Sequence, residues 1–193
     1  MRNKSFSWNE LEKAVEERMS PDRFMHTQRV VACASELAKR WNVDQHKARL
    51  AALLHDIAKD YLDDQLLNAA RDFGIVLTEI ERLSPSLLHG PVGAEIASRT
   101  FGVTDSDVLA AIRYHTTGRA GMSRLERVIF LADLIEPKRR FPGVDDLRAA
   151  AEQDLDKALL LAFDRTILYL VEAGKCLDPK AVEARNDLLM GRG

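Results

Sequence analysis

Six residues of this chain have the types and the order of a hydrolytic site built on two metal ions. They are His26, His55, Asp56, His89, His115 and Asp133. Imidazole and carboxylate groups are common ligands of divalent transition metals. The chain has only five histidines, and four of them belong to this set. The fifth, His46, lies in a polar stretch and is interpreted as a solvated surface residue.

The adjacent pair His55-Asp56 is the most informative part of the set. It lies in the segment LLHDIAK (53–59), which we predict to be an otherwise apolar stretch of helix. A charged group in such surroundings needs a partner, for example a metal ion or a phosphate. Neighbouring residues of a helix point about 100° apart, so this pair cannot bind one metal in the same way. We expect Asp56 to reach between two metals while His55 binds one of them.

Each of the other candidates alone has an ordinary structural explanation. A single histidine on an apolar helix face, such as His26 or His115, is more often structural than a ligand. Asp133 lies in the apolar segment VIFLADLI and could pair with Arg113 or Arg127. Because all six residues occur together in one short chain, we predict a metal site.

Composition limits the class of protein. The 193 residues are 46% hydrophobic and 30% charged, which fits one globular domain. The net charge of -2, with no strongly basic half, argues against a dedicated nucleic-acid-binding protein but allows a small anionic substrate. The N-terminus lacks the apolar core of a signal peptide, and the longest apolar stretch is broken by Asp164 and Arg165, so no membrane span is expected. Cys33 and Cys176 are predicted to be free buried thiols, and the location to be cytoplasmic.

Capping signals predict helix after helix, and no segment alternates with period two. The fold class is therefore predicted to be all-α. Helices are expected after Ser7, over about 21–40, from 45 through 57, over 63–73, after a break at Gly90-Pro91, over 105–115 and 123–135, and two or three over 144–190. We expect a single domain over 1–193, with a core at about 20–140 and the C-terminal helices, about 144–190, packed on it.

The sequence segments around the candidate ligands are also informative. They are FMHTQRV, ALLHDIAKD, LLHGPVGAEIA, IRYHTTG and VIFLADLIEPKR. Together they resemble the HD superfamily of metal-dependent phosphohydrolases, in particular the bacterial YqeK-type branch. The resemblance covers roughly residues 8 to 190. It implies an HD-type helical bundle that hydrolyses diadenosine tetraphosphate symmetrically to two ADP.

The resemblance also implies a ligand set. One metal would be held by His26, His55, Asp56 and Asp133, and the other by Asp56, His89 and His115, with Asp56 bridging. It implies two transition-metal ions per chain, with iron expected and manganese, cobalt or zinc acceptable to such ligands. The partner would be a small dinucleoside polyphosphate, and a homodimer is compatible with the resemblance.

Two metals can hold a hydroxide between them at neutral pH, and further groups must then bind the phosphates. Lys59, four residues after His55, is the first candidate for a catalytic cation, with a lysine reaching to solvent as the alternative. The remaining candidates for substrate contact are Asp60, Thr116, Thr117, Gly118, Arg139 and Arg140. A plain helix end is the alternative for 116–118, and solvated charge is the alternative for the two arginines.

Two other functions are compatible with parts of this pattern. One is a different nucleotide phosphohydrolase, such as a 5′-nucleotidase or a cyclic-dinucleotide phosphodiesterase. Single-metal nucleotidases of the superfamily do not need His89 and His115, which weighs against that option. The other is a non-catalytic regulatory module, which would be expected to have lost ligands.

Overall fold

The computed structural model describes residues 7–191, and eleven α-helices without any strand form this part of the chain. The helices are α1 (Trp8–Glu16), α2 (Pro21–Arg40), α3 (Gln45–Leu54), α4 (Asp63–Phe73), α5 (Glu79–Leu83), α6 (His89–Phe101), α7 (Ser106–Tyr114), α8 (Arg124–Ile135), α9 (Val144–Gln153), α10 (Leu155–Glu172) and α11 (Pro179–Leu189). A 3₁₀ turn at Pro85–Leu88 precedes α6. The all-α prediction is confirmed. The expectation that the N-terminus is not a signal peptide falls mainly on residues 1–6, which lie outside the described residues.

Most helix starts follow the predicted capping signals. Ser7 and Ser123 each form a capping box, in which the side chain and the glutamate three residues later satisfy each other's backbone N–H. Asp44 caps α3 through the N–H of Lys47. Ser20 makes no side-chain cap bond, and α2 begins on Pro21, whose fixed φ suits a first helical position.

Two predicted details around the candidate ligands were wrong. Helix α3 ends at Leu54, and His55 and Asp56 lie in the turns that follow it. The expected break at Gly90-Pro91 does not occur, because α6 begins at His89 and Pro91 falls in its first turn. The first N–H groups of a helix have no partner within it, so a proline there removes nothing.

The core is built where α2, α3, α7 and α8 meet. Helix α2 packs on α3 and α8, and α7 packs between α6 and α8. Val30, Leu53, Leu54, Ile112 and Ile129 are fully buried there. Truncating a leucine in such a core to alanine costs about 2–5 kcal/mol, so these positions hold the surrounding helix ends firmly in place.

The C-terminal helices share this core. Helix α10 packs on α8, α9 and α11, and the ring centroids of Phe130 and Phe163 lie 4.6 Å apart. The prediction of buried thiols was wrong for Cys176, which is exposed in the loop before α11, and only partly right for Cys33, which is half-buried. No helix within residues 7–191 combines the length and the apolar character of a bilayer span.

Candidate metal centre

The six predicted ligands come together at one point in the core. His26 lies on α2 and Asp133 on α8, while His55, His89 and His115 each lie at the end of a helix or 3₁₀ turn. The four histidines and Asp56 are buried, and Asp133 is mostly so. Their side chains form three overlapping groups, each with ligand atoms within 4.8 Å of one another.

The first half of the cluster contains His26, His55, Asp133 and one oxygen of Asp56. His26 Nε2 lies 3.0 Å from Asp133 Oδ1 and 3.9 Å from Asp56 Oδ2. His55 Nε2 lies 3.5 Å from Asp56 Oδ2 and 4.0 Å from Asp133 Oδ1. A metal with bonds of about 2.1 Å holds neighbouring ligand atoms roughly 3.0–3.5 Å apart and opposite ones about 4.2 Å apart. We refer to these four residues as subsite A.

The second half contains the other oxygen of Asp56. Asp56 Oδ1 lies 3.5 Å from His89 Nε2 and 3.4 Å from His115 Nε2. The two Nε2 atoms lie 3.0 Å apart. We refer to Asp56, His89 and His115 as subsite B. Asp56 therefore presents one oxygen to each subsite, which is the placement that a bridging carboxylate requires.

Helix-end carbonyls orient three of the four imidazoles. His55 Nδ1 lies 2.6 Å from the carbonyl of Ala52, His89 Nδ1 lies 2.5 Å from that of Ser86, and His115 Nδ1 lies 2.8 Å from that of Ile112. A carbonyl oxygen can only accept, so each Nδ1 carries a hydrogen, and in the neutral ring Nε2 then presents its lone pair to the cluster. The last carbonyls of a helix have no partner within it, and here they fix the tautomer of a candidate ligand.

The chemistry of these atoms fits a bound cation. The facing Nε2 lone pairs of His89 and His115, at 3.0 Å, repel each other unless a positive group lies between or beside them. The Nε2 atoms of His26 and His55 are buried without a hydrogen-bond partner, which is costly for a polar atom. A metal ion would satisfy both conditions at once.

The ionisation states also fit. Burial, together with His115 and Lys59, lowers the pKa of His89 to about 3, so this ring is neutral at physiological pH. Burial alone would raise the pKa of Asp56, but His55 and His115 hold it well below its usual range. Burial likewise opposes the charge of Asp133, but His26, His55 and Arg139 keep its pKa low. The cluster therefore presents ionised carboxylates and at least one neutral imidazole.

Three cations surround the cluster. The Nζ of Lys59 lies 3.3 Å from His89 Nε2, inside the site. Arg139 Nη2 lies 2.5 Å from Asp133 Oδ1. The two alternative partners considered for Asp133 were therefore wrong. Arg113 pairs with Glu95, and Arg127 pairs with Asp156. Arg23, on α2 one turn before His26, donates to Asp56 Oδ2 at 2.8 Å.

Sequence reasoning missed two charged residues of the site. Arg23 gave a weak signal, because it precedes His26 by three residues and therefore lies on the same face of α2. Glu136 is buried, and its Oε1 lies 3.2 Å from His26 Nδ1. Its position three residues after Asp133 could have indicated this, since both lie on one face near the end of α8.

Of the three predicted substrate contacts that follow His115, only Thr116 is described at the histidine cluster. Thr116 Oγ1 lies 3.0 Å from His89 Nε2 and 3.1 Å from His115 Nε2, directly in subsite B. Thr117 donates instead to the carbonyl of Gly118. Gly118 has a φ of +65°, and an added Cβ would meet the ring of Phe163 at 2.4 Å, so it serves the turn.

Asp60 and Arg140 do not reach the cluster. Asp60 Oδ2 accepts the N–H of Ser20 at 2.8 Å, and its Oδ1 lies 3.6 Å from Arg23 Nε. Arg140 is exposed and donates to the carbonyls of Pro137 and Arg139. Contact of these two residues with substrate stays a prediction, since local backbone groups take the hydrogen bonds described here.

Comparison with known proteins relates the chain to one family of hydrolases. The family model of the HD domain matches residues 23–138. A symmetrical bis(5′-nucleosyl)-tetraphosphatase of Bacillus subtilis is 40% identical over 92% of this chain and 95% of its own length. A relative with the same name from Staphylococcus aureus is 37% identical over 91% of this chain and 93% of its own length.

A solved structure is also similar to this chain over nearly its whole length. The crystal structure of a predicted HD superfamily hydrolase from Clostridium acetobutylicum, described as involved in NAD metabolism, is 40% identical. It covers 98% of this chain and 100% of its own, with a TM-score of 0.93. The chain therefore belongs to the HD domain family, whose members are metal-dependent hydrolases.

Proposed function

We propose that this chain hydrolyses diadenosine tetraphosphate symmetrically, giving two molecules of ADP. The observation that carries the proposal is the position of Asp56 between two sets of histidines. This arrangement suits a pair of metal ions acting on one phosphorus atom. The substrate is inferred from the relatives named symmetrical bis(5′-nucleosyl)-tetraphosphatase, which align over more than nine-tenths of the chain.

We further propose that subsites A and B each hold one transition-metal ion, with iron expected. His26, His55 and Asp133 would bind the first ion, His89 and His115 the second, and Asp56 both. Such ions supply Lewis acidity toward a phosphoryl oxygen and lower the pKa of water enough to provide a nucleophile at neutral pH. The protein contributes tautomers already fixed by helix-end carbonyls, so little reorganisation accompanies binding.

The surrounding cations are placed to hold the phosphate chain. Lys59, Arg139 and Arg23 contact ligand atoms of the cluster, so a phosphate at the cluster lies within their reach. Charge-assisted hydrogen bonds from such groups strengthen as negative charge grows in the transition state. The hydroxyl of Thr116 adds a neutral donor at subsite B.

The symmetric outcome follows from which phosphorus lies at the cluster. Water attacks one of the two central phosphorus atoms, the bond to the bridging oxygen between them breaks, and each half leaves as ADP. The leaving group is a diphosphate of low basicity, so no strong general acid is required. In ¹⁸O-labelled water, only one of the two ADP molecules should carry the label.

A product analysis tests the proposal. The protein loaded with iron(II) or manganese(II) is incubated with diadenosine tetraphosphate, and the nucleotides are separated by chromatography. ADP as the only nucleotide product is expected. ATP plus AMP would contradict the symmetric register, and turnover of only mononucleotides or cyclic dinucleotides would favour the alternative phosphohydrolases. The cytoplasmic location and the homodimer stay predictions.

A further inference from the structure

The four imidazoles of the centre have unequal partners behind them. His55, His89 and His115 each direct Nδ1 to a neutral backbone carbonyl. His26 alone directs Nδ1 to a carboxylate, Oε1 of Glu136, at 3.2 Å. A carboxylate can only accept, so Nδ1 of His26 carries a hydrogen, and in the neutral ring its Nε2 lone pair faces the cluster.

Glu136 is itself held firmly. It is 2% exposed. Arg29 Nε donates to its Oε2 at 2.8 Å, and Arg29 Nη2 donates to its Oε1 at 3.4 Å. The backbone N–H of Lys138 donates to Oε2 at 2.7 Å. The carboxylate therefore cannot turn away from His26 without losing several charge-assisted hydrogen bonds.

A carboxylate behind an imidazole makes its far nitrogen a stronger ligand and fixes the plane of the ring. Losing such a partner typically lowers metal affinity about 10- to 100-fold. In this protein the effect applies to subsite A alone, because only His26 has such a partner among the four imidazoles. Subsite A also contains Asp133 in addition to its share of Asp56.

Subsite B has fewer anionic ligand atoms than subsite A. Its only carboxylate oxygen is Asp56 Oδ1, and the ammonium group of Lys59 lies 3.3 Å from His89 Nε2. A positive group this close to a ligand atom repels a metal ion and competes for the same lone pair. Cations also contact ligand oxygens of subsite A, where Arg139 donates to Asp133 Oδ1 and Arg23 donates to Asp56 Oδ2. The two halves of the cluster therefore differ in the number of ligands and of carboxylate oxygens, and in the carboxylate behind His26.

We propose that the two metal positions are unequal and that Glu136 is a positioning residue for the tighter one. The ion in subsite A is the resident ion, and the ion in subsite B exchanges more readily. This inference rests on the proposed two-metal function. It implies that a metal-poor protein keeps one ion, loses the other, and loses turnover before it loses its fold.

Stepwise metal removal from the intact protein tests the inference without any assay of turnover. The protein is loaded with manganese(II), exposed to excess EDTA, and sampled over time for bound manganese per chain. Loss in two phases is expected, one ion leaving at least 10-fold faster than the other. Simultaneous loss of both ions would overturn the proposal, whatever the behaviour of any variant.

Variants assign the phases to the subsites. His89→Ala should lack the fast-leaving ion and keep the slow one. Glu136→Gln keeps an acceptor but loses the charge, and Glu136→Ala loses both. The slow phase should accelerate in the first variant and further in the second, by about 10- to 100-fold. A slow phase unchanged in both folded variants would overturn the role of Glu136.

Glu126→Gln is the matched control. Glu126 is likewise a buried glutamate that pairs with an arginine, Arg119, but it lies in the first turn of α8 and completes the capping box there. Its substitution should lower thermal stability and leave both phases unchanged. If two unequal ions are found but diadenosine tetraphosphate is not cleaved, only the proposed function fails. If cleavage occurs and both ions leave together, only this inference fails.

Discussion

The ammonium nitrogen of Lys59 lies 3.3 Å from Nε2 of His89, inside the histidine cluster of the HD fold. This position results from the end of α3 at Leu54, after which the chain turns and carries Lys59 back toward the cluster. The lysine is therefore a candidate for direct contact with the phosphate under attack, and it also affects the metal in subsite B.

Lys59→Ala should lower kcat/KM by roughly 10²-fold or more, because it removes a cation that meets charge developing on the phosphate. Metal content should not fall, since the change removes a positive group from beside the ligands. Steady-state kinetics and elemental analysis on the same preparation check both statements. Normal kinetics would contradict this role of Lys59 and leave Arg139 and Arg23 as the candidates for phosphate binding.

The activity should also depend on pH through Lys59. Burial lowers the pKa of Lys59 below its ordinary 10.5, despite the opposing charges of Asp56 and Asp133. The charged form is present below this lowered pKa, so activity should decline as pH rises through it, earlier than for an ordinary lysine. Lys59→Arg keeps its charge and should move the alkaline limb of kcat/KM to higher pH. An identical limb in both proteins would contradict the role of Lys59.

Asp56→Ala should abolish activity and remove both ions, because its two oxygens face the two subsites separately. Bound metal per chain, measured after gel filtration, should fall close to zero. Asp60→Ala is the control from the same turn, since its contacts go to Ser20 and Arg23. It should keep both ions, and an Asp56→Ala protein that retained one full equivalent of metal would argue against bridging.

Gly90→Ala should damage subsite B from outside the cluster. A Cβ at Gly90 would lie 2.6 Å from the backbone oxygen of Arg113, so α6 must move away from α7. These helices carry His89 and His115, and their separation should weaken the second metal and lower stability by about 1–3 kcal/mol.

Gly93→Ala, one turn further along α6, is the control for this effect. Its Cβ would meet methyl groups of Ile57 at 3.4 Å and Ile112 at 3.5 Å and the backbone oxygen of His55 at 3.6 Å, all ordinary contacts. Chemical denaturation and metal content should separate the two variants. Equal behaviour would show that the close approach at Gly90 does not set the spacing of the histidines.

Local sequence was sufficient for much of the fold. Capping at Ser7, Asp44 and Ser123 depends on residues within one turn, so the starts of α1, α3 and α8 were predicted correctly. The six candidate ligands were found in the same way, because polar residues in apolar segments are conspicuous without any structure. Their convergence is confirmed by the geometry, while metal binding itself stays a prediction.

Only the tertiary structure decided how these side chains face one another. Helix α3 ends at Leu54 although the apolar pattern continues to Ile57. In the turn that follows, His55 Nδ1 contacts the carbonyl of Ala52, and Asp56 lies between two sets of imidazoles. Glu136 and Arg23 acquire their roles from contacts with His26 and Asp56, and Asp56 lies 33 residues from Arg23 along the chain. Such pairings depend on how α2, α3 and α8 pack, and the sequence of each helix alone specifies only which face is apolar.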